Sequence, residues 1–493
     1  MDAIYFRSPK KSKPFFSAKR IFLIISALLV LAGMAYGFFF GHKIFSASKK
    51  MNFGAGAGQE RSFVRTIKSL AGPDMSGLKS SSPDRINILL LGVAGKGKPG
   101  QFLTDTIMIA SINRKTDRIA LISIPRDFYA SLPESGIQRK INTFYQIGLI
   151  NSDGDASRSI NPLLKAVKEM TSLEMDYWAV LNFDGFQKMI DDIGGINIMN
   201  ERDIYDARYP GPNYSYETFE LQKGFHHLDG ATALKYARER HNDPKGDFGR
   251  AKRQQQIMQA AKNKIFSAST LLNPLALSSL LDTLGDNITT NITSDEIGIF
   301  LDLAKKLDTQ NITNVVLDAW NKDSLLKVSH AQTGDVRTFI LVPRVGNYSE
   351  IQELAENIFD LDEIKRKRAE IEKENATIAI INKSGNPKIM LRIKKLLQEN
   401  LNYKNVIILN DTDKKISEKT AVYDSTDGTK PFTSNELVTK LPADISYSKY
   451  HLINAGNIRP DITVIIGKDL IKLYDMEEGT MEELNKARDN EDF

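Results

Sequence analysis

Four arginines gather around one short loop of this 493-residue chain: Arg238, Arg240, Arg250 and Arg253. Asp229 is placed to cap a helix that carries Leu234, Tyr236, Arg238 and Arg240. Turn formers follow, Asn242-Asp243-Pro244-Lys245-Gly246-Asp247-Phe248-Gly249. A second helix then carries Arg250, Arg253, Gln254 and Gln255 in its first turns. Arg250 and Arg253 stand i, i+3 and share a face. A guanidinium is a planar fork that grips two oxygens at once, so this cluster suits a di- or polyphosphate. The plainer alternative is a solvated basic helix face.

Acidic residues mark strand ends elsewhere. Asp105, in Thr104-Asp105-Thr106, opens one apolar run, while Arg126 and Asp127, in Ser123-Ile124-Pro125-Arg126-Asp127, close another. If the two runs pair as antiparallel strands, all three residues meet at one end of a sheet. Carboxylates there can hold a hard divalent cation, and the arginine can fork onto phosphate oxygens. Two capped turns with a surface ion pair would explain the same residues equally well. Gly95-Lys96-Gly97-Lys98-Pro99-Gly100 matches the dinucleotide fingerprint literally, but Pro99 and a strand follow it where that motif needs a helix, so it reads as a turn.

Composition narrows the chemistry further. There is no cysteine, which excludes disulfides, thiolate metal sites and a cysteine nucleophile. The six histidines show no zinc-protease spacing. The net charge of +5 is local. Six basic residues against one acid lie in residues 1–20, and seven against three lie in Lys235–Arg253, so the remainder is net acidic. Nucleic-acid binding is therefore not expected.

The elements that must position these groups follow a tail and an anchor. Residues 21–40 carry no charge and match the thickness of a bilayer as a helix. The basic residues 1–20 should stay cytoplasmic, leaving everything after residue 45 outside. A cleaved signal peptide is the alternative, disfavoured by the length of the apolar run and the lack of a small-residue cleavage pair. Residues 41–83 read as a flexible tether.

Short strands are expected at Ile86–Leu91, Thr106–Ile112 and Arg118–Ile124. A helix opens at Asn161-Pro162, a strand covers Trp178–Leu181, and Asp184 caps a helix ending at Gly194-Gly195 before the strand Ile196–Met199. Residues 255–345 show helical patterns that close on a strand at Phe339–Val342. Asp360–Asn375 reads as a charged linker helix. A second unit, 376–468, offers strands at Thr377–Ile381, Val406–Leu409 and Ile462–Ile466 and a helix at Lys388–Leu401, ahead of an acidic tail, 469–493. The fold class is α/β.

The ordered motifs Thr104-Asp105-Thr106, Ser123–Asp127, Lys140-Ile141-Asn142, Gly194-Gly195-Ile196, Tyr236–Arg240 and Asp243–Arg250 continuing to Gln254 resemble those of the LytR-CpsA-Psr family over residues 84–345. Residues 376–468, with Ile380-Ile381-Asn382-Lys383-Ser384-Gly385, resemble the C-terminal domain that often follows. The resemblance implies one N-terminal transmembrane helix and an extracytoplasmic α-β-α domain with a mixed central sheet. It further implies transfer of a glycopolymer from an undecaprenyl-pyrophosphate carrier to peptidoglycan, with Mg2+.

Carried over residue by residue, Asp105, Arg126 and Asp127 form the expected catalytic group, with Asp105 the metal-associated acid. Arg126, Lys140, Arg238, Arg240, Arg250 and Arg253 are expected on the pyrophosphate, supported by Asp247 and Gln254. Where many members carry an aspartate, this chain has Ala94, so one metal-side carboxylate is missing. The prenyl tail would need an apolar slot between the sheet and the helices of residues 160–300. Hydrolysis of the polyprenyl pyrophosphate, or non-catalytic carrier binding and wall scaffolding, are the rival functions.

Overall fold

A computed structural model describes residues 52–53 and 78–474, with interruptions at 212–214, 240–242, 244–245, scattered positions between 266 and 335, 412, 414 and 451–458. The expected span at 21–40, the loop arginine Arg240 and the residues after 474 lie outside the described residues. Among the described residues, no helix is long and apolar enough to cross a membrane.

The first unit builds a seven-stranded mixed sheet. Its strands are β1 (Asn52–Phe53), β2 (Arg85–Val93), β3 (Thr104–Asn113), β4 (Arg118–Ile124), β7 (Tyr177–Asn182), β12 (Ile288–Thr290) and β13 (Asp308–Val316), in the order β1-β12-β7-β2-β3-β4-β13. Two hairpins lie beside its chain path: β5 (Tyr129–Ser131) with β6 (Gln138–Lys140), and β14 (Leu326–Thr333) with β15 (Val336–Pro343). Two more two-stranded pairs, β8 (Ile196–Asn200) with β11 (Gly224–Leu228) and β9 (Ile204–Pro210) with β10 (Tyr216–Leu221), form the region around the site.

The sheet is covered on both faces, which explains why its central strands are nearly continuous apolar runs. Along β3, Ile107 and Ile109 face one core while Met108 and Ala110 face the other, the period of two that a strand imposes. The first core packs α1 (Phe144–Asn151), α2 (Asn161–Thr171) and the later α6 (Ser349–Glu356) on the sheet through Phe144, Leu163, Val167, Met170 and Ile351. Each such buried aliphatic side chain contributes about 1.5–3 kcal/mol. Across the sheet lie α3 (Phe183–Asp192), α4 (Gly230–Arg238) and α5 (Gly246–Ile265), bound by their own core of Ile190, Ile196, Leu228, Tyr236 and Ile257.

The second unit is a five-stranded sheet, β17-β16-β20-β18-β19, built from β16 (Thr377–Asn382), β17 (Asn405–Ile408), β18 (Ala421–Asp424), β19 (Asp444–Ser446) and β20 (Ile462–Ile466). Its helices are α7 (Leu361–Glu374), α8 (Pro387–Lys395), α9 (Pro431–Lys440) and α10 (Asp469–Tyr474).

Several expectations need correction. The end of the tether is ordered: Leu78 is buried, and Ser81 donates to Asp176 from both its amide and its hydroxyl. Helix α3 is capped by Asn182, which accepts from the Gly185 amide, while Asp184 sits in the first turn and pairs with Lys98. Helix α2 begins at Asn161 itself, so its cap is Ile160, with no side-chain bond. Strands β13 and β14 occupy a region that reads as helical. Helix α7 is not a free linker: Ile371 enters the second core, Arg368 Nη1 donates to both Glu436 carboxylate oxygens at 3.0 and 3.1 Å, and Glu374 accepts from the amides of Phe432 and Thr433. Residues 469–474, assigned to the tail, form α10 and bury Leu470 and Tyr474. Helix α8 runs on through a wider turn at Leu396–Asn400, in place of one helix to Leu401.

Candidate functional site: an arginine-lined pocket

Strands β3 and β4 pair antiparallel, Ile107 opposite Ile124, so the start of one and the exit of the other coincide. That brings Arg126 Nη1 to 3.2 Å from Asp105 Oδ1. Asp229 caps α4 by accepting from the Thr232 amide at 2.7 Å, which sets where the helix starts, and the helix carries Arg238 in its last turn. Helix α5 then starts against the sheet. Gln255 donates to Ser123 Oγ at 3.0 Å, and Arg250 reaches the Asp105 carbonyl at 3.4 Å.

These elements enclose a cavity of about 110 Å³, lined by Asp105, Arg126, Arg238, Arg250 and Gln254 together with Phe183, Asp206, Tyr209 and Glu239. That is room for several waters, hence for a small polar group such as a phosphate. A narrower cleft of about 20 Å³ shares Asp105, Arg126 and Arg250 and continues along Ile107, Ile124, Pro125 and Val316, between the sheet and α5.

Arg238 is held by rings. Its guanidinium carbon lies 4.7 Å from the Phe183 centroid and 5.8 Å from that of Tyr209, within cation–π range. Among the described residues it makes no hydrogen bond or ion pair, so its donors remain available to a ligand.

Other expected contacts turn out to be supports. Arg253 is buried, donates to the carbonyls of Tyr236 (3.0 Å) and Glu239, and pairs with the carboxylates of Glu239 (3.1 Å) and Asp243. It ties the end of α4, the loop and α5 together and lines neither cavity. Gly249 makes this possible, since a Cβ there would lie 2.0 Å from the Asp243 carboxylate. Lys140 pairs with the buried Asp127 at 2.7 Å, and Arg126 Nε lies 3.6 Å from the same carboxylate. Lys140 and Asp127 thus orient Arg126 from behind and are not on the pocket wall. Asp247 lies in the first turn of α5.

A resident cation must be weighed against the donors present. Among the described residues no three acidic or histidine side chains converge on a point that could hold a metal ion. Ala94, where a second carboxylate was to be looked for, is buried. Asp105 would be the residue to hold Mg2+ together with substrate phosphates, and its carboxylate already pairs with Arg126.

Phe183, Asp206 and Tyr209 were not singled out from sequence. Tyr209 and Asp206 lie on β9 with no motif around them. Glu239 stood inside Tyr236–Arg240 without a role, and its burial beside Arg253 is its only signal.

Residues 42–337 match the LytR_cpsA_psr family, and the chain belongs to it. It is 34% identical over 219 residues to the polyisoprenyl-teichoic acid–peptidoglycan teichoic acid transferase TagU of Oceanobacillus iheyensis, covering 44% of this chain and 62% of the relative. It is 34% identical over 237 residues to regulatory protein MsrR of Staphylococcus aureus, covering 46% of this chain and 64% of that protein. The chain thus spans less than two thirds of the length of these relatives. Solved structures that resemble it include B. subtilis TagV (23% identity, 57% of this chain and 98% of that one, TM-score 0.43) and TagT bound to LIIa-WTA (23%, 58% and 94%, TM-score 0.41). The family match ends ahead of the second sheet.

Proposed function

We propose that this protein transfers a glycopolymer from a polyprenyl-pyrophosphate carrier to peptidoglycan on the outer face of a membrane, anchored by residues 21–40. The observation that carries the reading is the convergence of Arg126, Arg238 and Arg250, from three separate elements, on one pocket beside Asp105. The name of the TagU relative, a polyisoprenyl-teichoic acid–peptidoglycan transferase, supports the same substrates.

Phosphoryl transfer asks for charge neutralisation and in-line placement more than for covalent chemistry. The arginines would hold the pyrophosphate. The acceptor sugar hydroxyl attacks the glycan-side phosphorus, and a new P–O bond forms as the bridging P–O bond to prenyl phosphate breaks. Asp105 takes the hydroxyl proton, and polyprenyl phosphate leaves. A Mg2+ shared by Asp105 and the pyrophosphate would neutralise charge on the departing phosphate.

The test is turnover of a glycan-bearing lipid pyrophosphate by the full chain, with and without peptidoglycan. Glycan on peptidoglycan is the expected product. Prenyl phosphate released at the same rate without acceptor would make the protein a hydrolase, and binding without turnover would make it a carrier. Protease shaving of intact cells, which should remove the bulk of the chain, tests the topology separately.

A further inference from the structure

Tyr209 is 2% exposed and lines the pocket, yet its hydroxyl has no hydrogen-bond partner among the described residues. Burying a hydroxyl without a partner costs about 1–3 kcal/mol, which phenylalanine at the same place would avoid. A ring that only braced Arg238 would not need the oxygen. The pocket is also polarised. Arg126 and Arg250 contact Asp105, whereas Asp206, Glu217 and Glu239 act on Tyr209 together with Arg238. Burial pushes the phenol up to about 12; Arg238 opposes this, and Glu217, Asp206 and Glu239 add to it. It therefore stays a neutral donor near pH 7. With Arg238 the arginine that acts on Tyr209 and Glu239 already paired to Arg253, this wall suits a neutral, hydroxyl-rich group better than a second phosphate.

We propose that Tyr209 is a specificity-determining residue: its ring braces Arg238, and its hydroxyl donates to an oxygen of the sugar attached to the pyrophosphate. This rests on the reading that the pyrophosphate sits on Arg126, Arg238 and Arg250. The hairpin β9–β10 then reads the first sugar, and the carrier's phosphates are read by the arginines alone.

The experiment measures binding of two ligands to the full chain: undecaprenyl pyrophosphate, and the same lipid carrying one N-acetylhexosamine. Tyr209→Phe keeps the ring and removes the oxygen. It should bind the bare lipid like the wild type and the sugar-bearing lipid roughly 3- to 10-fold more weakly, the worth of one neutral hydrogen bond. Its melting temperature without ligand should not fall, because an unpartnered buried oxygen has gone. Tyr209→Leu, which also removes the brace, should weaken both ligands.

Wild-type affinity of Tyr209→Phe for both lipids would overturn the proposal, and so would an equal loss for both, which would put the hydroxyl on phosphate. A wild-type protein that binds neither lipid would instead overturn the proposed function itself.

Discussion

Two clusters of charge sit at strand ends in this molecule, and they are built to opposite plans. In the second sheet Lys383, directly after β16, lies 2.8 Å from Asp411 and 3.1 Å from Asp413, and the Tyr450 hydroxyl donates to Asp411 at 2.6 Å. Burial works against the Lys383 ammonium, but these hydrogen bonds outweigh it and hold its pKa above the usual lysine range. Every charge there answers another. At the end of the first sheet Arg126, Arg238 and Arg250 face a cavity; Arg126 pairs with Asp105, while Arg238 is fixed by two rings that take none of its donors. Charge consumed by the fold stabilises it, whereas charge aimed at a cavity is kept for a ligand.

The largest expected effect lies behind the pocket. Arg253→Ala leaves Glu239 and Asp243 buried beside a lost partner, which typically costs about 3–5 kcal/mol. Thermal melting should fall steeply, and Arg202, 3.2 Å from Asp243, would offset only part of the loss. A well-folded Arg253→Ala that loses only ligand affinity would move Arg253 from support to contact.

Next comes Arg238→Ala. Each charge-assisted hydrogen bond lost costs about 1.5–3 kcal/mol of binding. Affinity for undecaprenyl pyrophosphate, read by calorimetry, should drop at least tenfold while melting changes little. Wild-type affinity in that variant would remove Arg238 from the phosphate site.

Acid titration probes the second cluster. The Lys383 and Tyr450 hydrogen bonds depress Asp411 to about 2. A depressed carboxylate adds stability above its unfolded value of ~3.9 and loses it as pH falls through the folded one. The second sheet should therefore weaken between about pH 4 and 2, followed by Tyr450 fluorescence, and Asp411→Asn should flatten that step. The smallest effect is expected from Lys383→Met, which should leave glycan transfer by the full chain unchanged. A large loss of turnover would show that the second unit takes part in the chemistry.

What sequence alone determined is local. The antiparallel strands around Asp105 and Arg126, the Asp229 cap and the arginine-flanked loop all follow from patterns within about twenty residues, and the ordered motifs carried the family. Strands β13 and β14 escaped because Asn311–Asn314 and Ser329–Gln332 mix polar residues into the run. Pairing with β4 and β15, not intrinsic pattern, makes them strands. The charged helix α7 read as a linker because its anchors, Arg368 on Glu436 and Glu374 on α9, depend on residues more than fifty positions away.

The same holds inside the site. Arginine type and spacing made all of the cluster look alike, and only tertiary packing separated Arg238, between two rings and facing a cavity, from Arg253, sealed among Glu239, Asp243 and two carbonyls. A side chain's chemistry is written in its identity. Whether that chemistry is spent on the fold or kept for a ligand depends on which distant groups fold against it.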